Sequence, residues 1–245
     1  RLVSDWSSDV CSSDLLVPWC AAAAVALAAW GLWIGLGVAP TDFQQGESYR
    51  IIFVHVPASW MAMVLYLAMA FWAAVGLIFN ARIAAMLAQA IAPTGALMAF
   101  LSLWTGALWG KPTWGTWWVW DARLTSTLIL LFMYIGFMAL RGAIEDERRA
   151  DRASALVAIV GAVNVPIIYF SVQWWNTLHQ GASVRPLKGS TMAEVMLEAM
   201  LIMALAFWAY AFAVVLARVR TIILERERHQ TIQRQDEDKH QPCSG

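Results

Sequence analysis

Six long apolar segments, separated by short polar breaks, set the pattern of this chain. Each segment is close to the roughly 20 residues that an α-helix needs to cross a bilayer. None alternates polar and apolar residues as the strands of a membrane barrel do. Because a chain within lipid must pair its own backbone groups, the pattern predicts an all-α, polytopic membrane protein with a bundle of six helices. The predicted spans are 17–38, 54–79, 86–109, 124–140, 153–173 and 193–217.

Composition and charge agree with a membrane protein and suggest its orientation. The chain has 245 residues, of which 60% are hydrophobic and 14% charged, and its mean hydropathy is +0.57. An even number of spans places both termini on one side, and that side carries eleven Lys and Arg residues against five on the other. The positive-inside rule therefore predicts cytoplasmic termini. The net charge is zero, and no basic face with interleaved aromatics points to nucleic acid.

The two ends of the chain differ from the bundle in composition. Residues 1–15 lack an initiator Met, a signal-peptide pattern and an amphipathic stripe, so we interpret them as a non-native or disordered leader. Residues 16–218 then form one membrane domain. Residues 219–245 are rich in Arg, Glu, Gln and Asp, which predicts a helix end near Arg218 followed by a disordered cytoplasmic tail.

Several residues mark helix ends or bends within the bundle. Pro57 predicts that the second span begins as a regular helix at that residue, with His55 just outside it; a longer helix kinked at the proline is the alternative. Asp121 fits the N-cap of the fourth span. Asn164 and Pro166 predict a bend in the fifth span, and Gly181 predicts a stop after it.

The tryptophan segment, residues 114–121, is the most unusual sequence in the chain. It carries four tryptophans in seven positions, namely Trp114, Trp117, Trp118 and Trp120. The segment lies between two predicted spans on the outward side, with Lys111 and Arg123 beside it. This composition predicts a flat apolar platform with a charged rim. Interfacial tryptophans more often form an anchoring belt, so that alternative remains open.

Two of the four histidines fall close to the tryptophan segment in the predicted topology. His55 precedes the second span and His179 follows the fifth, so both lie at the outer ends, whereas His229 and His240 lie in the charged tail. Two neutral imidazoles on opposite faces of a haem give a six-coordinate iron. A porphyrin also needs an apolar surface for its ring and cations for its propionates.

Together these residues predict a bis-histidine haem site that opens toward the outer leaflet. In this site the tryptophans cover the ring, and Arg50 and Arg123, in preference to Lys111, pair with the propionates. Each part also has a plainer interpretation: a surface histidine, a helix-flanking arginine, or, for Asp121, an N-cap rather than an acid or base. The predicted site comprises His55, His179, Trp114, Trp117, Trp118, Trp120, Asp121, Arg50 and Arg123.

Other chemistries find little support in the sequence. Gly106 to Lys111 is one residue short of a P-loop, and Pro112 stands where Ser or Thr would bind magnesium, so the chain is not predicted to hydrolyse ATP. The three cysteines form no C-x-x-C-H motif, which predicts haem bound without a thioether link. Glu194 and Glu198 fit a helix N-terminus for electrostatic reasons alone.

Taken together, five stretches resemble the tryptophan-rich "WWD" family of haem-handling membrane proteins, and within it the C family (CcmC) of system I cytochrome c maturation. The long tryptophan motif is highly specific, while the first 15 residues and the loop 182–191 depart from the family pattern. The matching stretches are 42–50, 51–57, 109–125, 164–168 and 174–181.

The resemblance implies a function and a set of partners. It implies a non-enzymatic, six-span protein of the bacterial inner membrane that binds haem b non-covalently at the periplasmic face, with His55 and His179 as the iron ligands. It also implies that haem is presented to the chaperone CcmE, and that the protein works with the ABC-type subunits CcmA, which hydrolyses ATP, CcmB and CcmD.

Two other functions remain as alternatives. A cytochrome b-like electron-transfer subunit would also use two histidines, but in the middle of the spans, whereas His55 and His179 lie at their ends. A small-solute transporter would need polar residues near the bilayer midplane, and only Asn164 stands out there.

Overall fold

The computed structural model describes residues 3–175, 177–179, 184–185 and 189–240, with side chains described for 16–175, 177–179 and 190–228. These ranges contain seven α-helices and a pair of two-residue antiparallel strands, β1 (Val184–Arg185) and β2 (Gly189–Ser190). A π-helical turn, Trp33–Val38, continues the first helix, and a 3-10 helix, Glu47–Ile51, leads into the second. The helices are α1 (Val3–Leu32), α2 (Ile52–Phe79), α3 (Arg82–Trp114), α4 (Ala122–Ala143), α5 (Glu147–Gly161), α6 (Asn164–Trp174) and α7 (Glu194–His240).

The helices provide six membrane spans, as the sequence predicted. Each is long and apolar enough to cross a bilayer, with α5 and α6 acting together as the fifth span. The all-α prediction is therefore confirmed, and the chain is a multi-pass membrane protein. The spans are Leu16–Val38, Glu47–Phe79, Arg82–Trp114, Ala122–Ala143, Glu147–Trp174 and Glu194–Arg228.

The helices at the two ends of the chain extend further than the sequence suggested. The backbone of residues 3–15 is part of α1, so the structure places helix where we expected a leader; the non-native origin of these residues stays a prediction. α7 continues to His240, so the predicted helix end near Arg218 was wrong. The residues after Arg218 include many Arg, Glu and Gln, which are strong helix formers.

The expected start of α2 at Pro57 was also wrong, and the longer alternative is correct. α2 begins at Ile52 and includes both His55 and Pro57. A proline this near the helix start removes only the hydrogen bond to the carbonyl four residues earlier, that of Phe53. The 3-10 helix before Ile52 leads directly into α2. His55 is therefore fixed on a helix, close to its N-terminal end.

The fifth span is interrupted close to the residues at which a bend was predicted. α5 ends at Gly161 and α6 begins at Asn164, and the Asn164 side chain donates to the carbonyl of Ser126 on α4, at 2.8 Å. A polar side chain at this depth is thus paired within the protein, as a lipid surrounding requires. The predicted stop at Gly181 lies outside the described residues.

Two buried tyrosines organise the centre of the bundle. Tyr66 on α2 and Tyr134 on α4 are fully buried, and their rings meet edge to face with centroids 4.8 Å apart. The Tyr134 hydroxyl donates to the carbonyl of Ala62 at 2.8 Å. Gly95 on α3 and Gly161 on α5 leave the space for these rings, because a Cβ at either position would overlap the tyrosine beside it.

We expect the substitution Gly95→Ala to destabilise the bundle. The added methyl group would collide with the Tyr134 ring, and overpacking of this kind costs about 1–3 kcal/mol. Thermal unfolding of the detergent-purified protein, followed by tryptophan fluorescence, measures the effect. The matched control is Gly136→Ala on α4, where a Cβ meets no atom within 4 Å. If both variants unfold at the native temperature, the close packing of Tyr134 on Gly95 is incorrect.

Candidate functional site

The tryptophan segment begins where α3 ends. Gly115 takes φ of 79°, a left-handed conformation that a glycine adopts without strain, and its N–H donates to the carbonyl of Lys111 at 3.1 Å. The Lys111 ammonium donates to the carbonyl of Gly115 at 3.1 Å and lies 5.8 Å from the centre of the Trp117 ring. Lys111 thus closes the turn that projects the segment from the helix end.

The four tryptophans divide into an exposed pair and a half-buried pair. Trp117 is 54% exposed and Trp120 76% exposed, whereas Trp114 and Trp118 are half-buried. The Trp118 and Trp120 rings meet at 79° with centroids 5.4 Å apart. The apolar surface is therefore stepped where these rings meet, not flat as the sequence suggested. The half-buried pair instead joins the segment to its neighbours.

His179 packs directly against the segment. Its Nδ1 lies 3.1 Å from Oδ2 of Asp121, and its ring centre is 5.0 Å from that of Trp114. The other carboxylate oxygen of Asp121 accepts the backbone N–H of Leu124 at 2.7 Å, which confirms the predicted N-cap of α4. A single carboxylate thus caps the N-terminus of α4 and orients a histidine that follows the C-terminus of α6.

His55 approaches from α2 and packs against α3. Its Nδ1 lies 3.0 Å from the Thr105 hydroxyl, and its ring meets the Trp109 indole edge to face, with centroids 5.6 Å apart. A Cβ at Gly106 would lie 3.0 Å from Cε1 of the imidazole, so the glycine lets the ring lie close to α3. Trp109 is held in turn by a 2.8 Å hydrogen bond from its indole to Gln45.

The hydrogen bonds assign the same tautomer to both histidines. The Thr105 hydroxyl has one proton and donates it to the carbonyl of Leu101 at 2.6 Å, so His55 Nδ1 must donate to the Thr105 oxygen. The Asp121 carboxylate can only accept, so His179 Nδ1 donates as well. In the neutral rings Nε2 then carries the lone pair. An imidazole in this state can coordinate a metal.

The two histidines and Arg123 share one electrostatic neighbourhood. His55 lies near enough to both His179 and Arg123 for a charge on either side chain to act on it. Arg123 lies in the first turn of α4, and its Nε is buried with no hydrogen-bond partner among the described residues. Trp118 Nε1 is in the same situation. Unpaired buried donors are costly, so these two atoms suit an acceptor supplied by a ligand.

Arg50 is placed differently from Arg123. Its guanidinium forms an ion pair with Glu47 and donates to the carbonyl of Gly35 at 2.6 Å. These partners tie the 3-10 helix to the π-helical turn, so the contacts of Arg50 serve the fold. Of the two arginines that the sequence singled out, only Arg123 has a buried donor without a hydrogen-bond partner in the described part of the chain.

Asp121 is ionised at neutral pH. Burial raises the pKa of its carboxyl, but the hydrogen bonds from His179 and from the Leu124 backbone outweigh burial and hold the pKa below its ordinary value of 3.8. A negative Asp121 favours a proton on the facing nitrogen of His179, which is the arrangement described above.

Comparison with known proteins identifies the family. The family model described as Heme exporter protein C matches residues 5–234. This chain belongs to the Heme exporter protein C family. The match covers all six spans, the tryptophan segment and both outer histidines, which confirms the family that the sequence motifs suggested.

Members of the Heme exporter protein C family from distant sources are similar to the chain. The Bradyrhizobium diazoefficiens protein is 48% identical over 211 residues, covering 86% of this chain and 80% of its own. The Escherichia coli K12 protein is 52% identical over 167 residues, covering 68% of each. A Marchantia polymorpha protein, named as a putative mitochondrial ccmC-like cytochrome c biosynthesis protein, is 44% identical over 198 residues, covering 81% of this chain and 84% of its own.

Sequence reasoning missed three residues of this family member's site. Thr105, Gly106 and Trp109 all line the approach of His55 to α3. Trp109 follows Thr105 by four residues and Gly106 by three, which puts it on the same face of the helix as both, as a helical projection could have shown. Nothing in the sequence alone indicated which helix this face meets.

We expect Asp121→Asn to reduce stability in a pH-dependent way. Asparagine caps a helix as well as aspartate, so the change mainly removes the charge that faces His179. A carboxyl with a lowered pKa stabilises the folded protein above its unfolded pKa, and this stability is lost as pH falls through the folded pKa. The native unfolding temperature should therefore exceed that of the variant at pH 5, and the difference should shrink as pH falls below about 3.8. A difference that does not change over this range would contradict the assignment.

Proposed function

We propose that this chain binds haem non-covalently at the tryptophan end of the bundle and presents it for cytochrome c biogenesis. Its relatives are named as haem exporters and as a cytochrome c biosynthesis protein. The chain carries no C-x-x-C-H motif, so the haem would be held without a thioether bond, and the family resemblance implies haem b. Haem here is cargo, and the protein itself need not catalyse a reaction.

One observation carries the proposal: two imidazoles, one on α2 and one in the chain after α6, each use Nδ1 for a hydrogen bond to the protein. His55 donates to Thr105 and His179 to Asp121. Such outer hydrogen bonds fix the orientation of a metal-binding histidine and raise its basicity. The donor set is that of a six-coordinate haem iron, and its two members come from separate parts of the chain.

The surroundings also suit a porphyrin. Trp117 and Trp120 offer exposed aromatic surface in the tryptophan segment, which also contacts His179 through Trp114, and such surface favours a large apolar ring. Arg123 Nε and Trp118 Nε1 are buried donors without partners among the described residues, and a propionate would satisfy them with a charge-assisted hydrogen bond. Arg50 is a weaker candidate for pairing with a propionate because its guanidinium already forms an ion pair with Glu47.

The proposal includes an orientation and partners. The excess of Lys and Arg on the side of the termini favours a site that faces the periplasm of a bacterial inner membrane. The exposure of Trp117 and Trp120 would let a soluble chaperone reach the haem edge. The family resemblance implies that this chaperone is CcmE. The same resemblance implies an ABC-type complex with CcmA, CcmB and CcmD, in which CcmA supplies ATP hydrolysis.

An electron-transfer subunit is the alternative, and the position of the histidines argues against it. His55 lies in the first turn of α2, and His179 lies beyond the end of α6. A haem between them would sit at the membrane surface, whereas electron transfer across a membrane needs haems stacked within the bundle. A redox titration of the purified protein with partner cytochromes separates these two functions.

Replacement of either histidine should remove most of the bound haem. We expect His55→Gly and His179→Gly each to lower the haem recovered with the detergent-purified protein and to abolish its six-coordinate, low-spin absorption spectrum. Added imidazole should restore that spectrum, because the free ligand can occupy the vacated position. His229→Gly, in the charged tail, is the matched control. Native haem content and spectrum in both site variants would overturn the axial-ligand assignment.

The exposed tryptophans provide a second test. The double variant Trp117→Leu/Trp120→Leu should bind haem about tenfold more weakly, since aromatic contacts contribute about 0.5–1.5 kcal/mol each. Haem titration followed by absorbance gives the affinity. Trp30→Leu on α1 is the control, because Trp30 is also an exposed tryptophan, at 57%, but on a different helix. Equal haem affinities in the native protein and in both variants would contradict a role in haem binding and would favour the interpretation of the segment as a membrane anchor.

A further inference from the structure

A cavity lies at the end of the bundle opposite the tryptophan segment. It has a volume of about 400 Å³ and opens between α3, α4, α5 and α7. Much of its wall is apolar, with Pro93, Phe137 and Ile222 among the lining side chains, and its charged lining residues are Arg141, Arg218 and Glu147. None of these apolar and cationic side chains belongs to the candidate haem site described above.

Arg218 is a half-buried cation with only a neutral partner. Its guanidinium donates to the Thr94 hydroxyl at 2.9 Å, and in the described part of the chain no carboxylate pairs with it. A cation that leaves water without an anionic partner is costly. Thr94 compensates one donor of the guanidinium, so the remaining donors can serve an anion in the cavity.

The arginines around the cavity outnumber the acids that pair with them. Arg141 pairs with Asp151, and Arg226 lies 3.2 Å from Asp151 and 3.4 Å from Glu147. With Arg218 there are three cations against two carboxylates, which leaves one positive charge. Arg141 Nε is moreover buried and has no hydrogen-bond partner among the described residues. The cavity therefore presents both an uncompensated charge and an unpaired donor.

The position of Arg218 along α7 points to the membrane surface. Arg218 follows Glu194, the first residue of α7, by 24 residues, or about 36 Å of helix at 1.5 Å per residue. That length exceeds the roughly 30 Å hydrocarbon core. If α7 enters the membrane near Glu194, Arg218 lies at the level of the lipid headgroups on the other side.

We propose that this cavity binds an anionic phospholipid. The headgroup phosphate pairs with Arg218 and accepts from Arg141 Nε, and part of an acyl chain lies against Pro93, Phe137 and Ile222. Basic pockets between transmembrane helices bind anionic headgroups in this way. The lipid would fill the groove between α3, α4 and α7 and supply the negative charge that the protein lacks there. This site is independent of the haem site, so either proposal can fail alone.

Native mass spectrometry of the detergent-purified full chain tests the proposal. With added phosphatidylglycerol or phosphatidylcholine, the native protein should retain phosphatidylglycerol preferentially. Arg218→Gln should weaken that binding about fivefold, the value expected for one cation near a headgroup. Arg82→Gln is the matched control, because Arg82 is exposed at the same end of the bundle but does not line the cavity, and it should bind as the native protein does.

A second variant covers the case in which Arg218→Gln does not fold. Gly142 lines the cavity, and a Cβ there meets no atom within 4 Å, so Gly142→Leu can fill the opening while leaving every charge in place. It too should lower phosphatidylglycerol binding, whereas Gly136→Leu should not.

Three results would overturn the proposal. The first is equal binding of the two lipids, and the second is native binding in both cavity variants. The third is displacement of phosphatidylglycerol by inorganic phosphate or by haemin at equal concentration, because the cavity would then recognise an anion or a porphyrin rather than a lipid.

Discussion

The carboxylate of Asp121 connects the membrane bundle to the candidate site. One oxygen accepts the backbone N–H of Leu124 and so begins α4, and the other accepts Nδ1–H of His179. The tryptophan segment must therefore end at the residue where a membrane span begins. Trp114, which contacts His179 from the other end of the segment, is fixed by the C-terminus of α3. The histidine is thus positioned by two helix ends, and helix ends are well-defined points in a bundle.

Lipid explains why the polar chemistry gathers at the two ends of the molecule. Within the spans, polar groups must find partners inside the protein, as the Tyr134 hydroxyl and the Asn164 amide do. Among the described residues, buried donors without partners lie at the ends instead, with Trp118 Nε1 and Arg123 Nε at one end and Arg141 Nε at the other. The centre is closed by tyrosines packed on glycines, so a tightly packed middle separates the two ends that carry these donors.

The sequence predicted the six spans and the N-cap at Asp121, and it singled out the candidate site residues, because each leaves a local signal. Apolar length defines a span, an aspartate before an apolar run defines a cap, and four clustered tryptophans are rare. The incorrect predictions concern features that depend on contacts between distant residues, or on several residues that favour and disfavour a helix at the same place. Pro57 suggested a helix start, but the preceding 3-10 helix leads straight into α2. The free donor of Arg123 and the paired state of Arg50 depend on partners distant in sequence, Gly35 among them, and no single sequence shows these.

The two candidate iron ligands are held in different ways, and this difference suits a protein that passes its cargo on. His55 lies on α2, close against Gly106 and bonded to Thr105, so moving it requires a packed helix to shift. His179 lies beyond α6, outside any helix, and is oriented by Asp121 and Trp114. Release of a haem held by both would need only the second set of contacts to break. A pair of imidazoles fixed on packed helices would retain haem instead, because neither bond could open without unfolding part of the bundle.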